Sequence, residues 1–108
     1  MHTEATYCVY MVKTSRGNYY TGIAVDLNRR VHEHNHTKRG AKSLRGQRPV
    51  ILVWQSETSL SKGMALKIER KLKSLSHDDK EKFLHNKLTL TVEEKLIACS
   101  SIQKTSSS

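Results

Sequence analysis

Near the amino-terminal end, two short stretches are dense in β-branched and aromatic residues: Ala5 to Lys13 (ATYCVYMVK) and Tyr19 to Ile23. Between them Ser15-Arg16-Gly17-Asn18 supplies turn chemistry, since Gly and Asn tolerate positive φ, so the two stretches read as strands paired antiparallel. Asp26 stands where an N-cap belongs, ahead of a helix running to about Asn35. Thr37 to Gln47 is polar and basic, carries Gly40 and Gly46, and reads as a loop. Pro49 then opens Val50-Ile51-Leu52-Val53-Trp54, a continuous apolar run whose expected form is a strand buried on both faces.

Periodicity changes after Ser61. Ala65, Ile68, Leu72 and Leu75 recur at the spacing of a buried helical stripe, which predicts a helix from about Ser61 to Leu75. Ser76-His77-Asp78-Asp79 resembles a capping box for a short helix from Lys80 to about Lys87, and Thr91-Val92-Glu93-Glu94 repeats the pattern for a last helix from Glu93 to about Ile97 or beyond. The closing KTSSS is low in complexity and expected to fray. The order β-β-α-β-α-α predicts an α/β domain with a small, mixed three-stranded sheet flanked by helices.

Charge adds a partner class. The chain has 108 residues, the size of one domain, with 19 Lys and Arg against 10 Asp and Glu, a formal charge of +9. Seven of the basic residues (Arg29, Arg30, Lys38, Arg39, Lys42, Arg45, Arg48) lie between Leu27 and Arg48 against one acid, Glu33. Such a field gathers polyanions, although a surface that serves only solubility would carry charge too. Cys8 and Cys99 form no CxxC pair, so zinc-finger and redox-motif readings fail, and Cys8 fits a buried free thiol. With no apolar run long enough for a bilayer and no signal-peptide core in MHTEATY, the expected location is intracellular, cytoplasmic or nucleoid-associated.

Three features do not fit a plain core. Leu27, Arg30, Val31 and His34 share one helical face, so a guanidinium and an imidazole stand where Leu or Val is usual; Arg30 either snorkels outward or faces a wet cleft. Tyr7, Tyr10, Tyr19 and Tyr20 all lie on the hairpin, Tyr10 on the opposite face from Tyr7, and Gly22 removes a side chain where something approaches closely. Glu69 sits at the edge of the apolar stripe, as a surface ion-pair member or as a hard-oxygen ligand for Mg²⁺ or Mn²⁺.

Together, Cys8-Val9-Tyr10, Tyr20-Thr21-Gly22, the Asp26–Asn35 segment and Ala65–Lys73 resemble the paired motif and the two helices of the GIY-YIG nucleases. The likeness is to the short, single-domain (UPF0213-like) branch, in which Gly40-Ala41-Lys42 and Arg48-Pro49-Val50 also have counterparts; it covers roughly Tyr7 to Leu84. The resemblance implies a GIY-YIG-type fold, with residues 1–88 as the nuclease-like domain and 89–108 as a helical extension and flexible tail. It further implies a metal-dependent endonuclease that hydrolyses phosphodiester bonds in DNA, with structure preference or weak sequence specificity and with RNA left open as a substrate. Tyr10, Tyr20, Arg30 and His34 are then catalytic, Glu69 holds one Mg²⁺ or Mn²⁺, and Asn86 is a further site candidate. By the same likeness Tyr10 would deprotonate water while Tyr20 positions water or phosphate, and Lys38, Arg39, Lys42, Arg45 and Arg48 would grip the backbone. Cys8 replaces the Gly that opens the first motif, which keeps a non-cutting, nucleic-acid-binding module of the same fold as the alternative.

Overall fold

The computed structural model describes residues 5–98. Cys99 and the KTSSS tail lie outside the described residues. Strand β1 (Cys8–Thr14) is the centre of a three-stranded sheet, between β2 (Tyr19–Ala24) and β3 (Val50–Gln55). Both neighbours run antiparallel to it, so the sheet is antiparallel throughout and not mixed. The physical reason is that α1 (Leu27–His36) carries the chain across β1, leaving β2 and β3 parallel to each other but never adjacent.

The strand buried on both faces is therefore β1, and the expectation for Val50–Trp54 is corrected. β3 is an edge, with Ile51 66% exposed. Its unbroken apolar run has a different origin. Pairing slips between Met11 and Val12, so Val53 is an extra residue between Leu52 and Trp54. That bulge sends Leu52 to one sheet face while Val53 and Trp54 pack on the other, and strict alternation is lost. At the start of β3 the Asn35 side chain takes both backbone groups of Val50: its Nδ2 donates to the Val50 carbonyl at 3.1 Å and its Oδ1 accepts from the Val50 N–H at 2.7 Å.

Val9 and Met11 face the larger core, which α2 (Lys62–Lys73) enters with Ala65, Ile68 and Leu72 and α3 (His77–Leu84) with Phe83. Ser61 caps α2 by accepting from Met64 N–H, and Ser76 caps α3 by accepting from Asp79 N–H, each at 3.1 Å. The third helix thus begins at His77, one residue past its cap, and ends earlier than predicted. Tyr10 and Val12 face the smaller core beneath α1 and a 3-10 helix, Lys42–Gln47, inside the segment read as a loop.

Among the described residues the predicted last helix does not form. Leu90–Val92 (β4) and Lys95–Ile97 (β5) make a hairpin whose two turn residues, Glu93 and Glu94, have φ of 51° and 68°. Leu90, Val92 and Ile97 belong to the larger core, so this segment completes the domain instead of extending it. Glu93 pairs with Lys67 of α2, and Lys95 with Glu57 at 2.6 Å.

Candidate active site

The face of the sheet under α1 gathers the polar residues singled out above. Asp26 caps α1 by accepting from Arg29 N–H at 3.1 Å, which sets the phase of the helix. Arg30 and His34 then project, one turn apart, toward Tyr10 on β1 and Tyr20 on β2. His34 is fully buried, its ring 5.8 Å from that of Tyr10 and 5.3 Å from that of Tyr20, and the two phenol rings are 6.4 Å apart. Tyr10 is 1% exposed, whereas Tyr20 is half-buried.

Glycine makes the packing possible. Gly22 pairs with Tyr10 across the hairpin, and a Cβ there would lie 2.7 Å from the Tyr10 Oη and 2.9 Å from its Cζ. The close approach expected at Gly22 is thus the Tyr10 ring itself. At Gly40 a Cβ would lie 2.6 Å from the His34 Cα, so only glycine lets the loop press against α1. That contact brings the Ala41 N–H to His34 Nδ1 at 3.1 Å.

This hydrogen bond decides the imidazole's tautomer. With Nδ1 accepting, a neutral His34 carries its proton on Nε2, which lies 2.7 Å from the Tyr10 Oη and donates to it. The ring is neutral at pH 7, because burial first, and then the charge of Arg30, push its pKa down to about 4, with Glu33 opposing. Tyr10 in turn holds its proton well above the usual phenol range. Burial is the main cause, with the Tyr20 and Glu69 charges adding to it, while Arg30 pulls the other way.

Arg30 neither snorkels freely nor enters hydrocarbon. Its Nη1 donates to Glu33 Oε1 at 3.0 Å and to the Arg39 carbonyl at 2.9 Å. The other Glu33 oxygen pairs with Arg29 at 3.2 Å, so one carboxylate fixes both guanidiniums, and they hold its pKa below the usual carboxylate range. Sequence reasoning passed over Glu33, although its spacing from Arg29 and Arg30 marks it as their partner. A cavity of ≈ 230 Å³ between Ala24, Asp26, Arg29, Arg30 and Glu33 opens beside this group.

Glu69 comes from α2, which lies along β2, and its charge reaches Tyr10. Its carboxylate is mostly covered and pairs with Lys73 at 3.2 Å. Two other candidates have local structural work. Arg48 donates from Nε to the His34 carbonyl at 2.7 Å and from Nη2 to the Thr37 carbonyl, closing the end of α1. Asn86, at φ 62°, is the left-handed residue of a Schellman turn, with Asn86 N–H on the Phe83 carbonyl at 3.1 Å and Lys87 N–H on that of Lys82 at 2.7 Å. Lys38, Arg39, Lys42 and Arg45 remain exposed, Arg45 with one contact to the Lys38 carbonyl.

Residues 6–82, which contain all of this cluster, match the GIY-YIG catalytic domain. The chain belongs to the GIY-YIG family. A UPF0213 protein of Staphylococcus epidermidis is 46% identical over 76 residues, covering 70% of this chain and 90% of that one. One from Aeromonas hydrophila is 41% identical over 92 residues, 85% of this chain. The chain spans only 62% of that relative's length and 54% of that of its Aeromonas salmonicida counterpart. The solution NMR structure of a UPF0213 protein from Bacillus halodurans aligns with a TM-score of 0.48 and 34% identity over 74% of this chain and 83% of that one. Membership in the GIY-YIG family places the chain in a family of nuclease-type domains. No helix among the described residues is long and apolar enough to cross a membrane.

Proposed function

We propose that this GIY-YIG chain is an endonuclease that hydrolyses phosphodiester bonds in DNA with one Mg²⁺ or Mn²⁺, showing structure preference or weak sequence specificity. The observation that supports it is the convergence of Arg30, Tyr10, Tyr20 and His34 on one sheet face within reach of the Glu69 charge. Among the described residues no group of three or more His, Cys, Asp or Glu could hold a metal ion, so Glu69 would be its single protein carboxylate. That donor set fits a hard cation which keeps several waters and takes further oxygens from phosphate. Bound there, the cation supplies Lewis acidity at the phosphoryl group.

The chain's own residues do the rest. Arg30, held by Glu33, presents its remaining donors to the non-bridging phosphoryl oxygens as charge builds on them. Tyr10 keeps its proton at neutral pH and is enclosed between Tyr20, His34 and Gly22, which favours an orienting role. Tyr20, the more exposed phenol, is better placed to meet water or phosphate, in keeping with the family likeness, whereas Tyr10 does not take the role of base that the likeness implied for it. His34 stays neutral and donates to Tyr10, fixing its hydroxyl.

Nicking of supercoiled plasmid in Mg²⁺ or Mn²⁺ tests this reading. Glu69→Ala and Arg30→Ala should each lower the rate on the order of 10²-fold or more while sparing DNA binding. Equal nicking by all three proteins would trace it to a contaminant. A second reading, a binding module that does not cut, is favoured by the Lys73–Glu69 ion pair, which occupies the one carboxylate. Salt-sensitive binding without cleavage, even in Lys73→Ala, would select it.

A further inference from the structure

A separate pair of ligating side chains lies on the solvent side of α1. His32 and His36 are both exposed, their ring centroids 4.6 Å apart and their planes at 35°. Four residues is one helical turn, so the two imidazoles leave the helix from the same strip. His34, between them, points the opposite way into the tyrosine cluster. The segment His32-Glu33-His34-Asn35-His36 thereby has the H-E-x-x-H spacing by which a helix offers two imidazole nitrogens to one zinc ion.

Two elements of a zinc hydrolase are missing. Glu33, which would be the general base, is engaged by Arg29 and Arg30. A third protein ligand is lacking too, since no cluster of three or more His, Cys, Asp or Glu is found among the described residues. What remains is a two-nitrogen chelate. We propose that His32 and His36 form a bidentate surface site for a divalent transition metal that prefers imidazole, of the Zn²⁺, Ni²⁺ and Cu²⁺ class, with water in the other positions.

The surroundings bear on its strength. The pair spans the last turns of α1, where the negative end of the helix dipole favours a cation. Lys38 and Arg39 in the following segment oppose it, but both are exposed and screened by salt. Selectivity separates this site from Glu69: a lone carboxylate suits Mg²⁺ or Mn²⁺, and a pair of imidazoles does not. Occupancy would brace the turns that carry Arg30, Glu33 and His34 on their other faces. The inference is independent of whether the chain cuts DNA.

Calorimetric titration of the full chain with Zn²⁺ at pH 7.5, in excess Mg²⁺, is the test. We expect one Zn²⁺ to bind and to raise the melting temperature, with Mg²⁺ failing to compete. His32→Ala or His36→Ala should each weaken binding on the order of 10²-fold, the loss of a tethered second ligand. His85→Ala should leave it unchanged. Because a histidine substitution alone can act through the helix, the pair is also moved: Asn28→His with His36→Asn sets two exposed imidazoles at positions 28 and 32, the same spacing one turn earlier, and should restore binding. No Zn²⁺ uptake by the wild type, equal uptake by His36→Ala, or failure of the moved pair to rescue would each overturn the proposal.

Discussion

Tyr10 owes its place to a neighbour with no side chain. Gly22→Ala would drive a methyl carbon into the Tyr10 hydroxyl end, and β1 is the least yielding strand of the sheet. Forced repacking of this kind costs about 1–3 kcal/mol, so the variant should unfold at lower denaturant and lose most of any nicking activity while Gly17→Ala, remote from the cluster, should spare activity. His34 gives a prediction in pH. Its pKa is about 4 when folded and near 6.5 in an unfolded chain, so the unfolded state binds the extra proton first. Stability from this residue is whole above pH 6.5, is lost as the pH falls toward 4, and amounts to on the order of 3 kcal/mol (about 2.5 pH units at 1.36 kcal/mol each). Urea melts of wild type and His34→Gln between pH 4 and 7.5 should therefore differ in slope with pH, the variant's curve being flatter. Sequence reasoning reached Arg30 and His34 because helix phase alone puts them on an apolar face. It could not reach Glu69 that way, since one carboxylate among four cations looks like any surface residue.

At the level of elements, the strands and helices that position the site were legible, because their caps and periods are local: Asp26, Ser61 and Ser76 each do what their positions announce. The failures come where tertiary structure overrules local chemistry. Val50–Trp54 reads as a central strand because a bulge hides its alternation. Thr91-Val92-Glu93-Glu94 reads as a helix start because Thr and Glu stand at capping-box spacing, yet the larger core takes Leu90, Val92 and Ile97 from this segment. Two consecutive positive-φ residues without glycine carry a penalty of roughly 1–2 kcal/mol each. Glu93→Asn with Glu94→Gly should relieve much of it and raise the melting temperature, despite loss of the Lys67–Glu93 pair, which is exposed and worth little. A lower melting temperature would mean that the glutamates hold the hairpin through contacts that outweigh backbone strain.

Across the whole molecule, the basic surface divides into cations that fold the chain and cations that face solvent. Arg48 belongs to the first group, whereas Lys38, Arg39, Lys42 and Arg45 belong to the second. If the four exposed ones meet phosphate, log affinity for duplex DNA should fall with log salt at a slope of about −3 to −4, and charge removal at Lys38 and Lys42 together should flatten it by about 2. A slope near zero would assign the charge to solubility. This partition was not legible in the sequence, since a structural and a free arginine differ only in what the fold brings to them. Asn35 shows the same thing in a neutral side chain. By occupying both backbone groups of Val50 it imitates the neighbouring strand that β3 lacks. An edge strand otherwise offers a template on which a second chain can add itself, and β3 with its exposed Ile51 would be an adhesive one. A helix residue outside the tyrosine cluster thus closes the first position of that edge, Val50, to any added strand.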